Sequence, residues 1–318
     1  MNPSYSPTIE RPGRTCPLHY RYSPAIFNRH AEVCAETLYV VGGLYGNPFA
    51  LESIIRTARQ EAAEPVLVFN GDFNWFNVDG LGFRQINETV LKYRALRGNV
   101  ESELADDQSG AGCGCGYPDW VSDIEVARSN QIIEVLKTTA QRFPDILEHL
   151  RSLPMHLVAC VGGVRIGIVH GDADSLAGWE FSREALTDPC AEGKYRSQFE
   201  QAKVRIFTST HTCLPAMKRV PLQVGFGLIV NNGSAGMSNL QGTQFGLVTR
   251  ISTTAARTPS LCTERLEELY IDLLRIEFDG ASWVENFLMN WPAGSPGHDS
   301  YFGRITQGPS FAGPIKMD

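Results

Sequence analysis

The chain has 318 residues, of which 43% are hydrophobic, 20% charged and 10% aromatic. That composition supports a packed core and excludes a disordered chain, a collagen-like repeat and a coiled coil. A net charge of −7 and a pI of about 5.6 argue against a large nucleic-acid footprint.

Apolar stretches such as 155–161 and 228–230 are far too short to cross a bilayer. The first 22 residues lack the apolar centre of a signal peptide. The expectation is a soluble, cytoplasmic protein with no membrane partner. An N-terminal arm is expected over 1–36, and its first thirty residues carry Arg11, Arg14, Arg21 and Arg29 against Glu10. A main domain is expected over 37–290, and a Pro/Gly-rich tail over 291–318.

From residue 38 the pattern becomes α/β. The run 38–41 reads as a buried strand closed by Gly42-Gly43. Leu51, Ile54, Ile55, Ala58 and Ala62 mark one face of a helix, and 66–69 forms the next strand before Asn70-Gly71-Asp72. Helical spacing then runs over 126–150, through Ile132, Leu136, Ala140, Phe143, Leu147 and Leu150, predicting one long helix. Beyond Pro154 the segments 156–161, 164–169, 204–207, 228–230, 245–251 and 269–278 read as strands. Pro292, Pro296, Pro309 and Pro314 predict an irregular tail over the surface.

Residues 101–125 hold Glu101, Glu103, Asp106, Asp107, Asp119, Asp123 and Glu125 with no Lys or Arg, matching the −7 of the whole chain. A charge run of this kind reads first as a solvated loop, and its GAGCGCG stretch as a flexible flap. The eight cysteines of a chain without an export signal read as reduced thiols, including Cys113 and Cys115 in that flap. Trp75, Phe76 and Trp179 suit either a substrate wall or the core.

Polar punctuation falls at strand ends, where catalytic loops of α/β sheets gather. Asp72, His170 and His211 each follow a strand-like run, and Asn99 sits in Ala95-Leu-Arg-Gly-Asn99. Taken singly, Asp72 and Asn99 read as turn formers and the histidines as hydrogen-bonded structural residues. Together they form a mixed O/N set suited to zinc, iron or manganese.

Gly71-Asp72, Gly98-Asn99, His170-Gly171 and Thr210-His-Thr-Cys213, with the turn Asn232-Gly-Ser-Ala-Gly236, resemble the successive motifs of bacterial calcineurin-like metallophosphoesterases. The resemblance spans roughly residues 38–250. It implies a four-layer α-β-β-α sandwich, with Asp72, Asn99, His170 and His211 as ligands of the family's second metal. His170 and His211 would also line the transition-state environment.

The family's first metal site is degenerate in this chain. Its opening Asp-x-His-Gly reads Gly43-Leu-Tyr45-Gly46, and its closing histidine is Cys213. Cys213 is an additional candidate ligand once deprotonated. A strong first site would need a carboxylate such as Glu101 to turn inward. Val100 stands where many members carry a leaving-group acid. The resemblance therefore implies one divalent or trivalent transition-metal ion (Zn, Fe or Mn), with a second held weakly at most. The implied reaction is hydrolysis of a small phosphodiester or activated phosphomonoester by a metal-activated hydroxide. The alternative is a catalytically weak or inactive descendant that binds a ligand or metal.

Overall fold

The computed structural model describes residues 11–106, 110–311 and 313–317. The first ten residues of the arm and Asp107 of the acidic segment lie outside the described residues.

The first half of the chain runs β1 (Val33–Ala35), β2 (Thr37–Val41), α1 (Pro48–Ala58), β3 (Val66–Asn70), α2 (Gly80–Val90), β4 (Arg94–Leu96) and α3 (Asn99–Ala105). It continues with α4 (Asp123–Ala140), α5 (Pro144–Ser152), β5 (His156–Val161) and β6 (Val164–Val169). The second half holds α6 (Arg183–Leu186), α7 (Glu192–Ala202), β7 (Ile206–Ser209), β8 (Pro215–Pro221) and β9 (Phe226–Asn232). It closes with β10 (Gly246–Ser252), β11 (Ser260–Leu266), β12 (Leu269–Ile276), α8 (Gly280–Asn290), α9 (Pro296–Gln307) and β13 (Lys316–Met317).

Two sheets result, in the orders β1-β5-β6-β7-β9-β8-β13 and β11-β12-β10-β2-β3-β4. Alternation along each strand sends successive side chains to opposite faces. Leu38 and Val40 of β2 therefore meet Ile166, Ile168, Leu228 and Val230 between the sheets. Tyr39 and Val41 point the other way, into a core shared with α1, α2, α4 and α8. Phe199 of α7 packs with Phe207 and Ile229 on the outer face of the other sheet. This is the expected four-layer α-β-β-α sandwich. Strands β2, β3 and β4 run parallel, as do β6, β7 and β9, so the loops after them gather at common ends.

Three expectations are corrected. The predicted single helix over 126–150 is two, because Pro144 has no N–H to donate and its ring forces Phe143 out of helical geometry before starting α5. The tail is not irregular: Ser295 caps α9 with Pro296 in its first turn, and β13 pairs parallel to β8. Trp291 is buried and donates from Nε1 to the Phe76 carbonyl (3.2 Å).

The acidic segment is the third. Glu101 and Glu103 on α3 are fully buried, and Tyr20 of the arm donates to Glu103 (2.5 Å). Asp106 is exposed, as are Asp119, Asp123 and Glu125 around the start of α4, and these match the solvated reading. Among the described residues, no helix is long and apolar enough to cross a membrane.

Candidate metal centre

Asp72 sits in the turn after β3 with φ +52°, a backbone conformation that side-chain-bearing residues rarely adopt. Two glycines make the turn possible. A Cβ on Gly71 would lie 2.4 Å from the Gly98 nitrogen, and one on Gly98 would lie 2.3 Å from Asp72 Oδ1. The Gly-Asp and Gly-Asn turns thus nest against each other.

Glu101 locks them together. Its carboxylate accepts from the backbone N–H groups of Asp72 (2.7 Å), Phe73 (3.0 Å) and Gly98 (3.0 Å). Burial, and then repulsion from Asp72, push its pKa up to about 7. Glu101 does turn inward, but its oxygens are taken by backbone donors and brace the site from behind.

The four strand-end residues converge. His170 Nε2 lies 3.3 Å from Asp72 Oδ2, 3.2 Å from Asn99 Oδ1 and 3.2 Å from His211 Nδ1. One ligand atom from each of Asp72, His170 and His211 falls within 4.8 Å of the others.

The partners behind these groups set their proton positions. His170 Nδ1 is 2.8 Å from the Asn70 carbonyl, and His211 Nε2 is 2.9 Å from the Cys115 carbonyl. A carbonyl only accepts, so those nitrogens carry the protons and the opposite nitrogens present lone pairs inward. Asn99 Nδ2 donates to the Cys113 carbonyl (2.9 Å), which aims Oδ1 inward as well. Four acceptors therefore face one another with no donor among them. That donor set fits a cation, and both imidazoles and the amide have an outer hydrogen-bond partner of the kind that orients metal-binding groups.

The electrostatics agree. Burial pushes the His211 imidazole down to about 4, and the neighbouring His170 adds to the effect. Burial works against charge on Asp72, but His170 and His211 outweigh it and lower its pKa. On His170 burial is outweighed by Asp72, so its pKa rises. Among Asp72, Glu101, His170 and His211, the pKa rises only at His170 and Glu101.

The expectation of reduced, uninvolved Cys113 and Cys115 is corrected. They are joined as a disulfide and buried, their Cα atoms 5.3 Å apart. Gly110, Gly112, Gly114 and Gly116 all adopt positive φ, folding the loop back so that its carbonyls reach Asn99 and His211. The other described cysteines are free.

Gly43, Tyr45 and Cys213, where the resemblance implies a degenerate first metal site, lie beside this cluster. The Tyr45 ring occupies the space over Gly43, where a Cβ would meet Tyr45 Cε2 at 2.9 Å. Tyr45 Oη lies 2.8 Å from Cys213 Sγ, and burial raises the pKa of both groups. The Asn232–Gly236 turn supports the same loop: Asn232 donates to the Gly42 carbonyl, and a Cβ on Gly236 would lie 1.8 Å from the Leu44 carbonyl oxygen.

A cavity of about 280 Å³ opens over Asp72, Asn99 and His211. Trp75 and Trp179 line it, whereas Phe76 packs into the core against Phe287 and Tyr301. Trp179 donates to the Cys115 carbonyl (2.9 Å) and sets its ring edge-on to His211. Tyr301 and Arg304 of α9 line it as well, Tyr301 edge-on to Trp75. Sequence reading missed both, because the prolines around α9 hid its helical spacing. The Cys113–Cys115 loop carried no sequence signal for its role.

No protein-family profile matches the chain, and no curated protein matches it in sequence. Solved structures match its fold. A metallophosphoesterase from Sphaerobacter thermophilus superposes with a TM-score of 0.56 at 15% identity, covering 86% of this chain and 100% of its own. A hypothetical protein from Pyrococcus horikoshii OT3 gives 0.57 at 16% identity, covering 88% and 100%. The chain has the calcineurin-like phosphoesterase fold.

Proposed function

We propose that the protein hydrolyses small phosphate esters at a centre that holds one transition-metal ion. Asp72, Asn99, His170 and His211 are its ligands, and zinc, iron or manganese suits their mixed O/N character. The observation that carries this reading is the inward-facing ring of four acceptors, two of them imidazoles with fixed tautomers. When bound, the ion supplies Lewis-acid polarisation of a phosphoryl oxygen and acidifies an attacking water.

The chain's own residues set the rest. Glu101 holds the Asp72 turn in its strained conformation, so the carboxylate stays aimed at the centre. Trp179 packs edge-on against His211 and lines the cavity beside it. Val100 is buried on the cavity wall and donates only its backbone N–H, to Asp72 Oδ1 (3.2 Å). With no acid there to protonate a departing alkoxide, diesters and activated monoesters are the favoured substrates.

A second reading, a weak or inactive descendant that binds a ligand, is favoured by one observation. The Tyr45 ring fills the space beside Gly43 where the fold's first metal would need a ligand. Metal analysis of the purified protein decides between them when paired with hydrolysis of p-nitrophenyl phosphate and bis-p-nitrophenyl phosphate. The proposal expects bound metal, and diesterase activity that chelation removes and metal restores. A metal-free protein inert to both esters under metal supplementation would overturn it.

A further inference from the structure

We infer that Arg304 is the second cation of this centre, a fixed guanidinium that grips a phosphoryl oxygen beside the vacated first-metal positions. The inference rests on the phosphoester reading above and deepens it.

Arg304 comes from α9, far in sequence from every strand-end motif, yet it lines the same cavity as Asp72, Asn99 and His211. Its Nη2 donates to the Cys213 carbonyl, which places the guanidinium against the Tyr45–Cys213 pair. Its positive charge acts on both of those side chains. Its Nε–H is buried and meets no acceptor. Among the described residues no carboxylate pairs with it, whereas the fully buried Arg250 pairs with both Glu61 and Asp272.

A half-buried cation with an unmet N–H and no counter-ion is costly unless an anion arrives. Charge balance points the same way. Asp72 and Glu125 bring two carboxylates to the cavity, whereas one divalent ion and Arg304 together would bring three positive charges. A phosphate ester complements that arrangement. The guanidinium fork presents two donors to phosphoryl oxygens, so it replaces the electrostatic grip of a metal ion without needing ligands from Gly43 or Tyr45. The bland alternative is that Arg304 only ties α9 to the Cys213 turn.

The test measures inorganic phosphate binding to the metal-containing protein by calorimetry, for wild type, Arg304→Met and Arg304→Lys. The expected result is at least a tenfold rise in Kd for Arg304→Met, partial recovery in Arg304→Lys, and unchanged metal content in both. A Kd within twofold of wild type in folded Arg304→Met overturns the inference and leaves a structural tie. Should Arg304→Met fail to fold, the wild type decides: phosphate should protect Arg304 from phenylglyoxal, read by peptide mass spectrometry. Equal modification with and without phosphate overturns it. The two readings fail separately. Metal-dependent hydrolysis with Arg304-independent phosphate binding sinks only this inference, and Arg304-dependent phosphate binding without hydrolysis sinks only the enzyme.

Discussion

His170 Nε2 and His211 Nδ1 face each other at 3.2 Å, and the backbone carbonyls behind them hold both protons on the far sides of the rings. Two lone pairs at that distance repel unless a cation lies between them. His211→Ala should therefore lower bound metal sharply. Tyr45→Phe, which removes only a hydroxyl from the Cys213 contact, should leave it near wild type. Elemental analysis of both purified variants reads the difference, and equal metal content would mean that the site is misassigned.

Glu101 touches no inward-facing ligand atom, yet it holds the two turns that present Asp72 and Asn99. Glu101→Gln keeps its shape but turns an amide N–H₂ toward backbone donors that now meet an oxygen. Supporting groups of this kind tune metal sites by about 10–100-fold in affinity. The expected outcome is a metal Kd weakened within that range in a protein that still folds. An unchanged Kd by competition with a chelator would show that the turns hold themselves.

Asp72, His170 and His211 were legible because each follows a β-branched apolar run, and Asp72 and Asn99 because each sits beside a glycine, Gly71 or Gly98, that leaves no room for a Cβ. What supports them was not legible. Arg304, the Cys113–Cys115 carbonyls and the second face of Glu101 reach the site through contacts that no local periodicity encodes. The same holds for Arg250, whose ion pairs with Glu61 and Asp272 join three separate elements in the interior. Pro144 was visible, but apolar spacing continued across it and hid the break between α4 and α5.

Away from the site, burial pushes the His156 imidazole down to about 4, with the charge of Arg29 adding to the effect. Arg29 Nη2 lies 3.1 Å from His156 Nδ1, and the ring packs edge-on against Tyr22 and Phe27. The folded protein keeps this ring neutral, while the unfolded chain binds a proton near the ordinary histidine pKa of about 6.5. The unfolded state thus gains protons first as pH falls, so stability is full above about 6.5 and is lost down to about 4. His156→Gln should make the unfolding midpoint in urea titrations less pH-dependent across that window, with His211, also pushed down to about 4, still contributing there. A variant as pH-sensitive as wild type would place the acid lability elsewhere.

Cys213 stands where the one-ion and two-ion readings part. Gly43 has φ +66°, and a Cβ there would run into the Tyr45 ring, so Gly43→Asp alone should lower the melting temperature without adding metal. Cys213→His alone should not build a second position either, because Gly43 and the Tyr45 ring still offer no ligand. The triple change Gly43→Asp, Tyr45→His, Cys213→His removes the colliding phenol ring and supplies two imidazoles and a carboxylate beside Asp72. Bound metal should rise from about one to about two ions per chain, and diesterase activity should rise with a clamp on both attacking and leaving oxygens. Wild type is measured in parallel. If it already carries two ions, Cys213 or Tyr45 is serving as a ligand as it stands, and the one-ion centre is wrong.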